Sequence, residues 1–83
     1  MPIYIGVHKL APGMSETDVQ DGWNTYKGEA QRMGLKPVRV RYNIEKGAAY
    51  CETEASSENE VRQAHQNVQV PLEDVVEVKA TLE

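Results

Sequence analysis

The residues best suited to chemistry in this chain of 83 are one cysteine and two histidines. Cys51 sits in Tyr50-Cys51-Glu52-Thr53-Glu54-Ala55, an alternating stretch that reads as a strand. Ser57 follows as an N-cap, and His65 lies eight residues beyond it on the helix so begun. A thiol on a strand and an imidazole on the next helix belong to elements that must pack together. Thiolate and imidazole are good ligands for zinc, nickel or copper. Both residues also have a plain packing use. Free cysteine behaves as a small core hydrophobe, and a histidine at a helix edge is satisfied by one hydrogen bond. Two soft ligands alone do not make a metal site.

His8 and Glu54 form a second candidate pair. Each closes a strand, and the two strands are expected to be adjacent and parallel, so that both side chains emerge at one sheet edge, a common place for ligands. A histidine beside a carboxylate suits a base or a metal site; it also suits an exposed pair at strand ends. Pro2 is a third feature. With Met1 removed, it would be a secondary-amine N-terminus, and Pro2-Ile3-Tyr4-Ile5 resembles the start of the tautomerase superfamily, which uses that proline as a base. Arg39 and Arg41 in Val38-Arg39-Val40-Arg41 are similar to the arginines of the tautomerase second strand, which bind acidic substrates; a solvated strand face is the simpler reading. No glycine-rich phosphate loop and no Ser-His-Asp arrangement stands out.

The elements that position these residues follow from periodicity. Residues 3–8 alternate as a strand, with Ile3, Ile5 and Val7 on one face and Tyr4, Gly6 and His8 on the other. Ser15 is an N-cap with Asp18 in the capping-box position. Val19, Trp23, Tyr26, Ala30 and Met33 make one helical stripe, which reads first as core. Gly34 is the natural residue to end that helix. Strands over residues 37–44 and 48–54 flank a tight hairpin at Glu45-Lys46-Gly47. Ser57 with Glu60 caps a second helix, with Val61, Ala64 and Val68 inward. A turn at Pro71-Leu72 leads to a last strand over 75–80, with Val76 and Val78 expected inward.

The order βαββαβ predicts an α+β, ferredoxin-like sandwich over residues 1–83 as a single domain. Its four-stranded antiparallel sheet takes the order 4-1-3-2, with two helices on one face. The uncovered face is expected to carry Tyr4, His8, Tyr50, Glu52, Glu54, Glu77 and Lys79. Trp23 lies eight residues past Ser15, as His65 does past Ser57. Each is then about 12 Å down its helix, so the two are expected to face one another.

Composition narrows the classes. A chain this short buries only about 60% of its unfolded surface, which favours a homodimer through the open sheet face. The formal charge is −4, from 9 basic and 13 acidic residues. That argues against nucleic acid and against anionic membranes. No apolar run approaches the roughly 18 residues of a spanning helix. Met1-Pro2-Ile3-Tyr4 lacks the basic start of a signal peptide, and a lone cysteine fits a cytoplasm that keeps thiols reduced.

Residues 3–78 resemble a family of small bacterial proteins of unknown function that includes nickel-binding members with a dimeric ferredoxin-like fold. The likeness rests on Val7-His8, on Pro12-Gly13-Met14-Ser15 before helix one, and on Tyr50-Cys51-x-x-Glu54-Ala55. Ser57 with Val61 and His65, and Pro71-x-x-Asp74-x-x-Glu77-Val78, complete it. The resemblance implies ligands at His8, Cys51, Glu54 and His65, and a small cytoplasmic protein binding nickel or another transition metal. Many relatives carry a histidine in helix one and an aspartate three residues later. Trp23 and Tyr26 stand there in this chain. They are expected to line the pocket in place of ligands, leaving a reduced ligand set or no metal at all. The alternatives are a tautomerase-like enzyme using Pro2 and a dimeric protein-interaction module.

Overall fold

The computed structural model describes residues 1–81. The elements are β1 (Ile3–Lys9), α1 (Glu16–Arg32), β2 (Lys36–Asn43), β3 (Ala48–Glu54), α2 (Glu58–Asn67) and β4 (Asp74–Val78). The sheet order is β2-β3-β1-β4, and every neighbouring pair is antiparallel. The expected ferredoxin-like βαββαβ architecture is therefore present. Among the described residues, no helix is long and apolar enough to cross a membrane.

Local signals account for the helix ends. Ser15 Oγ accepts from the Asp18 amide at 3.2 Å, and the Asp18 carboxylate accepts from the Ser15 amide at 2.9 Å, a closed capping box. At the other end of α1, Gly34 takes φ +81°. The Gly34 amide donates to Gln31 and the Leu35 amide to Ala30, so the last carbonyls of the helix are satisfied in a Schellman turn. Ser57 Oγ accepts from the Glu60 amide at 3.3 Å. The Glu60 carboxylate reaches back to Ser56 rather than to the cap residue itself.

The helices cover the sheet face that carries Ala49, Cys51 and Thr53, all buried. Cys51 meets His65 of α2, and the Thr53 hydroxyl lies 2.5 Å from that of Tyr26 on α1. Tyr26, Ala30, Val61 and Ala64 complete the core from the helix side, with Trp23, Met33, Val40 and Leu72 packed around it.

Three sequence expectations are corrected here. In β1, Tyr4, Gly6 and His8 pair with Thr53, Cys51 and Ala49, so they lie under the helices. Tyr4 and His8 are not on the open face; Ile3, Ile5 and Val7 are. The register also inverts β4. Val75 and Glu77 fall opposite Gly6 and Tyr4, while Val76 and Val78 fall opposite Ile5 and Ile3. Val75 is therefore the buried valine, and Val76 is 43% exposed. Finally, β1 and β3 run antiparallel, with Ile3 opposite Glu54 and His8 opposite Ala49. His8 and Glu54 consequently sit at opposite ends of the sheet. The physical reason is shared: β-branched residues suit a pleated surface whether or not a helix covers it. Alternation alone does not say which face is which.

Candidate metal centre

Gly6, His8, Cys51 and His65 form the site. In β1, residues 6 and 8 share a face. That face meets Cys51 of β3 from the side and α2 from above. Gly6 lies directly opposite Cys51. A Cβ at position 6 would come within 2.6 Å of Cys51 Sγ and 3.1 Å of Leu72 Cδ2. The absent side chain is what gives the sulfur its place.

Two imidazoles converge on that sulfur. His8 Nε2 and His65 Nε2 each lie 3.3 Å from Cys51 Sγ, and all three atoms fall within 4.8 Å of one another. The far ring nitrogens are engaged with backbone carbonyls. His65 Nδ1–H donates to Val61 O at 2.8 Å, one turn back in α2. His8 Nδ1–H donates to Pro71 O at 2.8 Å. A carbonyl only accepts, so each Nδ1 carries the proton and each neutral ring turns its Nε2 lone pair to the sulfur. Tyr26 stacks on His65 with ring centroids 3.9 Å apart, which fixes the plane of that ring.

Burial keeps the cluster uncharged. It pushes the Cys51 thiol up to about 11, against the pull of backbone hydrogen bonds from Gly6 and from Cys51 itself. Burial lowers His65 to about 4; its bond to Val61 works the other way, and nearby His8 adds to the lowering. His8 is also lowered by burial, offset by its bond to Pro71. Tyr26 is raised to about 12, mainly by burial.

The sequence candidates divide on this geometry. Cys51, His65 and His8 come together. Glu54 does not: its carboxylate lies 3.4 Å from Lys36 Nζ, at the other end of β3. Trp23 and Tyr26 both line a pocket of about 250 Å³ in front of the cluster. Tyr26, not Trp23, is the ring stacked on His65, while Trp23 tilts against Tyr26 with centroids 5.9 Å apart. Strand and helix patterns pair Cys51 with His65, and His8 joins them in the sequence only through the family resemblance. A glycine inside a strand signals a close approach by a neighbour, and it shares parity with His8; that was the available clue.

Imidazole nitrogen and thiolate sulfur suit zinc, nickel and copper. The donor set fits such an ion, and the Val61 and Pro71 carbonyls accept from the far ring nitrogens, as the acceptors that orient ligating histidines do.

The fold and the His–Cys–His cluster define a small ferredoxin-like protein with a candidate transition-metal centre. Its structure is similar to the crystal structure of SCO4226 from Streptomyces coelicolor A3(2), with a TM-score of 0.86 over 96% of this chain and 99% of that one, at 15% identity. The model of the family described as nickel responsive protein SCO4226-like matches residues 4–78, and the chain belongs to that family. No curated protein matches the chain.

Two outcomes follow from this geometry. Gly6→Ala is expected to cost about 1–3 kcal/mol in urea unfolding, because the new methyl group overpacks the sulfur. Cys51→Ala removes the atom in its way, so the double variant should recover part of that loss. Strictly additive losses would contradict the contact. For the metal-free chain, stability should depend on pH through His65. An unfolded histidine titrates near about 6.5, and folded His65 near about 4. Its contribution is complete above the higher value and is lost as pH falls towards the lower, by at most about 1.4 kcal/mol per unit. Urea titrations across that window check it; a flat profile would contradict it.

Proposed function

We propose that this protein binds one transition-metal ion, nickel by its family's description, through His8 Nε2, Cys51 Sγ and His65 Nε2. The observation that carries the reading is the tautomer geometry: two imidazole lone pairs and one sulfur converge, and each ring's other nitrogen is held by a carbonyl. The ion would supply Lewis acidity and a fixed positive charge at the pocket floor. The protein's own part is to present neutral imidazoles at neutral pH, to release the thiol proton on loading, and to screen the site with Tyr26 and Trp23.

Pro2, the base of the alternative tautomerase-like reading, lies apart from the cluster. It begins at the end of β1 far from His8, where its carbonyl accepts from the Ala55 amide. Arg39 lies 3.7 Å from Glu52 in an ion pair, on the face opposite the thiol. The tautomerase-like arrangement and the His–Cys–His cluster thus occupy separate parts of the sheet.

The second part of the proposal is a homodimer through the open sheet face. Ile3, Ile5, Val7 and Val78 form a partly exposed apolar stripe there, beside Val76 and Tyr50, which are 43% and 44% exposed. The Lys36–Glu54 and Arg39–Glu52 pairs flank it. An apolar centre with a polar rim suits an interface.

Nickel titration of the full chain after chelator treatment tests the first part. One ion per chain is expected, with a sulfur-to-metal absorption band and release of about one proton, since only the thiol is protonated at neutral pH. Affinity should rise about tenfold per unit between about pH 7 and about pH 9. Cys51→Ser should remove the band and weaken binding at least about tenfold. Binding that is unchanged in Cys51→Ser would refute the assignment. Light scattering at micromolar concentration tests the second part. A dimer mass is expected, shifting to monomer in Val76→Glu; a monomer mass for the unaltered chain would contradict it.

A further inference from the structure

The pocket in front of the cluster is larger than a metal ion requires. Its volume is about 250 Å³, whereas a cavity of about 150 Å³ holds benzene. Met14, Val19, Trp23, Val40 and Val70 give it mostly apolar walls, and the two imidazoles with the thiol lie at its floor. Trp23 offers an aromatic surface against which a flat ring can pack.

The floor has an excess of acceptors. Both Nδ1–H groups are committed to carbonyls, those of Pro71 and Val61. Both Nε2 lone pairs therefore face Cys51 Sγ, at 3.3 Å each. A thiol has one proton, so it can donate to one ring only. In the metal-free state the other lone pair has no donor among the described residues. His65 is 1% exposed and His8 is half-buried, so the thiol proton is best placed on the deeper ring, and His8 Nε2, beside the pocket, is the acceptor left over. The pocket borders both rings and gives a donor room to approach. Lys9 and Asp18 also line the pocket, but the neutral floor and mostly apolar walls disfavour a charged guest against the rings.

We propose that this pocket binds a small, uncharged, fused-ring aromatic molecule with one N–H or O–H donor, given to the free Nε2 lone pair. This goes beyond metal binding and does not rest on it. An ion would occupy the same lone pairs, so the aromatic guest belongs to the metal-free state.

Indole and benzofuran make the test, because they match in shape and differ in that benzofuran has a ring oxygen in place of the N–H. Both are titrated calorimetrically into the full chain freed of metal by chelator. Indole is expected to bind at least about tenfold more tightly, the effect of one hydrogen bond to a buried acceptor. In His8→Phe one lone pair remains for one thiol proton, so the excess is gone and the ratio should fall towards one. In Cys51→Ala both lone pairs are free, so the preference should persist. Equal affinities in the unaltered chain, no saturable binding of either compound, a preference surviving His8→Phe, or one lost in Cys51→Ala would each overturn the proposal. The nickel titration is run without either compound, so each reading can fail while the other stands.

Discussion

The site depends on two hydrogen bonds that do not touch the sulfur: His65 Nδ1–H to Val61 O, and His8 Nδ1–H to Pro71 O. Each selects one tautomer of a neutral ring and so decides where its lone pair points. The first is local to α2, one helical turn long. The second depends on the chain after α2. There, Gln69 takes φ 59°, the Val70 amide donates to His65 O, and the Glu73 amide donates to Val7 O. That turn brings the Pro71 carbonyl over β1. The loop between α2 and β4 therefore sets the orientation of an imidazole sixty-three residues away in sequence.

The arrangement has an energetic consequence. Burial disfavours every charged form in the cluster, so the thiol and both imidazoles remain neutral around pH 7. One of the two Nε2 acceptors is then left without the thiol proton. Any guest that satisfies it, whether cation or N–H group, stabilises the folded state by linkage. Gly6 belongs to the same design. A side chain there would push the sulfur out of line with both rings, and the backbone freedom of glycine in a strand is accepted for that clearance.

The fold was legible because its signals are local. Ser15 with Asp18, the Val19-to-Met33 stripe and Gly34 bound α1 closely, and the β2–β3 hairpin and Ser57 place the next elements. What escaped the sequence is the facing of the strands. Ile3, Ile5 and Val7 are the most strand-like residues of β1, yet they line the open face, while Tyr4, Gly6 and His8 go under the helices. The inner side of β1 is shaped by the site rather than by hydrophobicity. In β4 the run Val75-Val76 offers apolar residues at both parities, so pattern alone cannot choose between them. The misplacement of His8 beside Glu54 follows from strand direction, which depends on pairing across the sheet. Cys51 with His65 was recoverable from the elements that carry them; His8 came with them only through the family resemblance, because its own pattern does not show which face of β1 it takes.

The most direct test is the protonation pattern of the two rings. Long-range proton–nitrogen correlation spectra of the metal-free chain, labelled with nitrogen-15, distinguish a protonated from an unprotonated ring nitrogen. Both His8 and His65 should show a protonated Nδ1 and an unprotonated Nε2 at neutral pH. A protonated Nε2 on either neutral ring would remove a lone pair from the cluster and contradict the account.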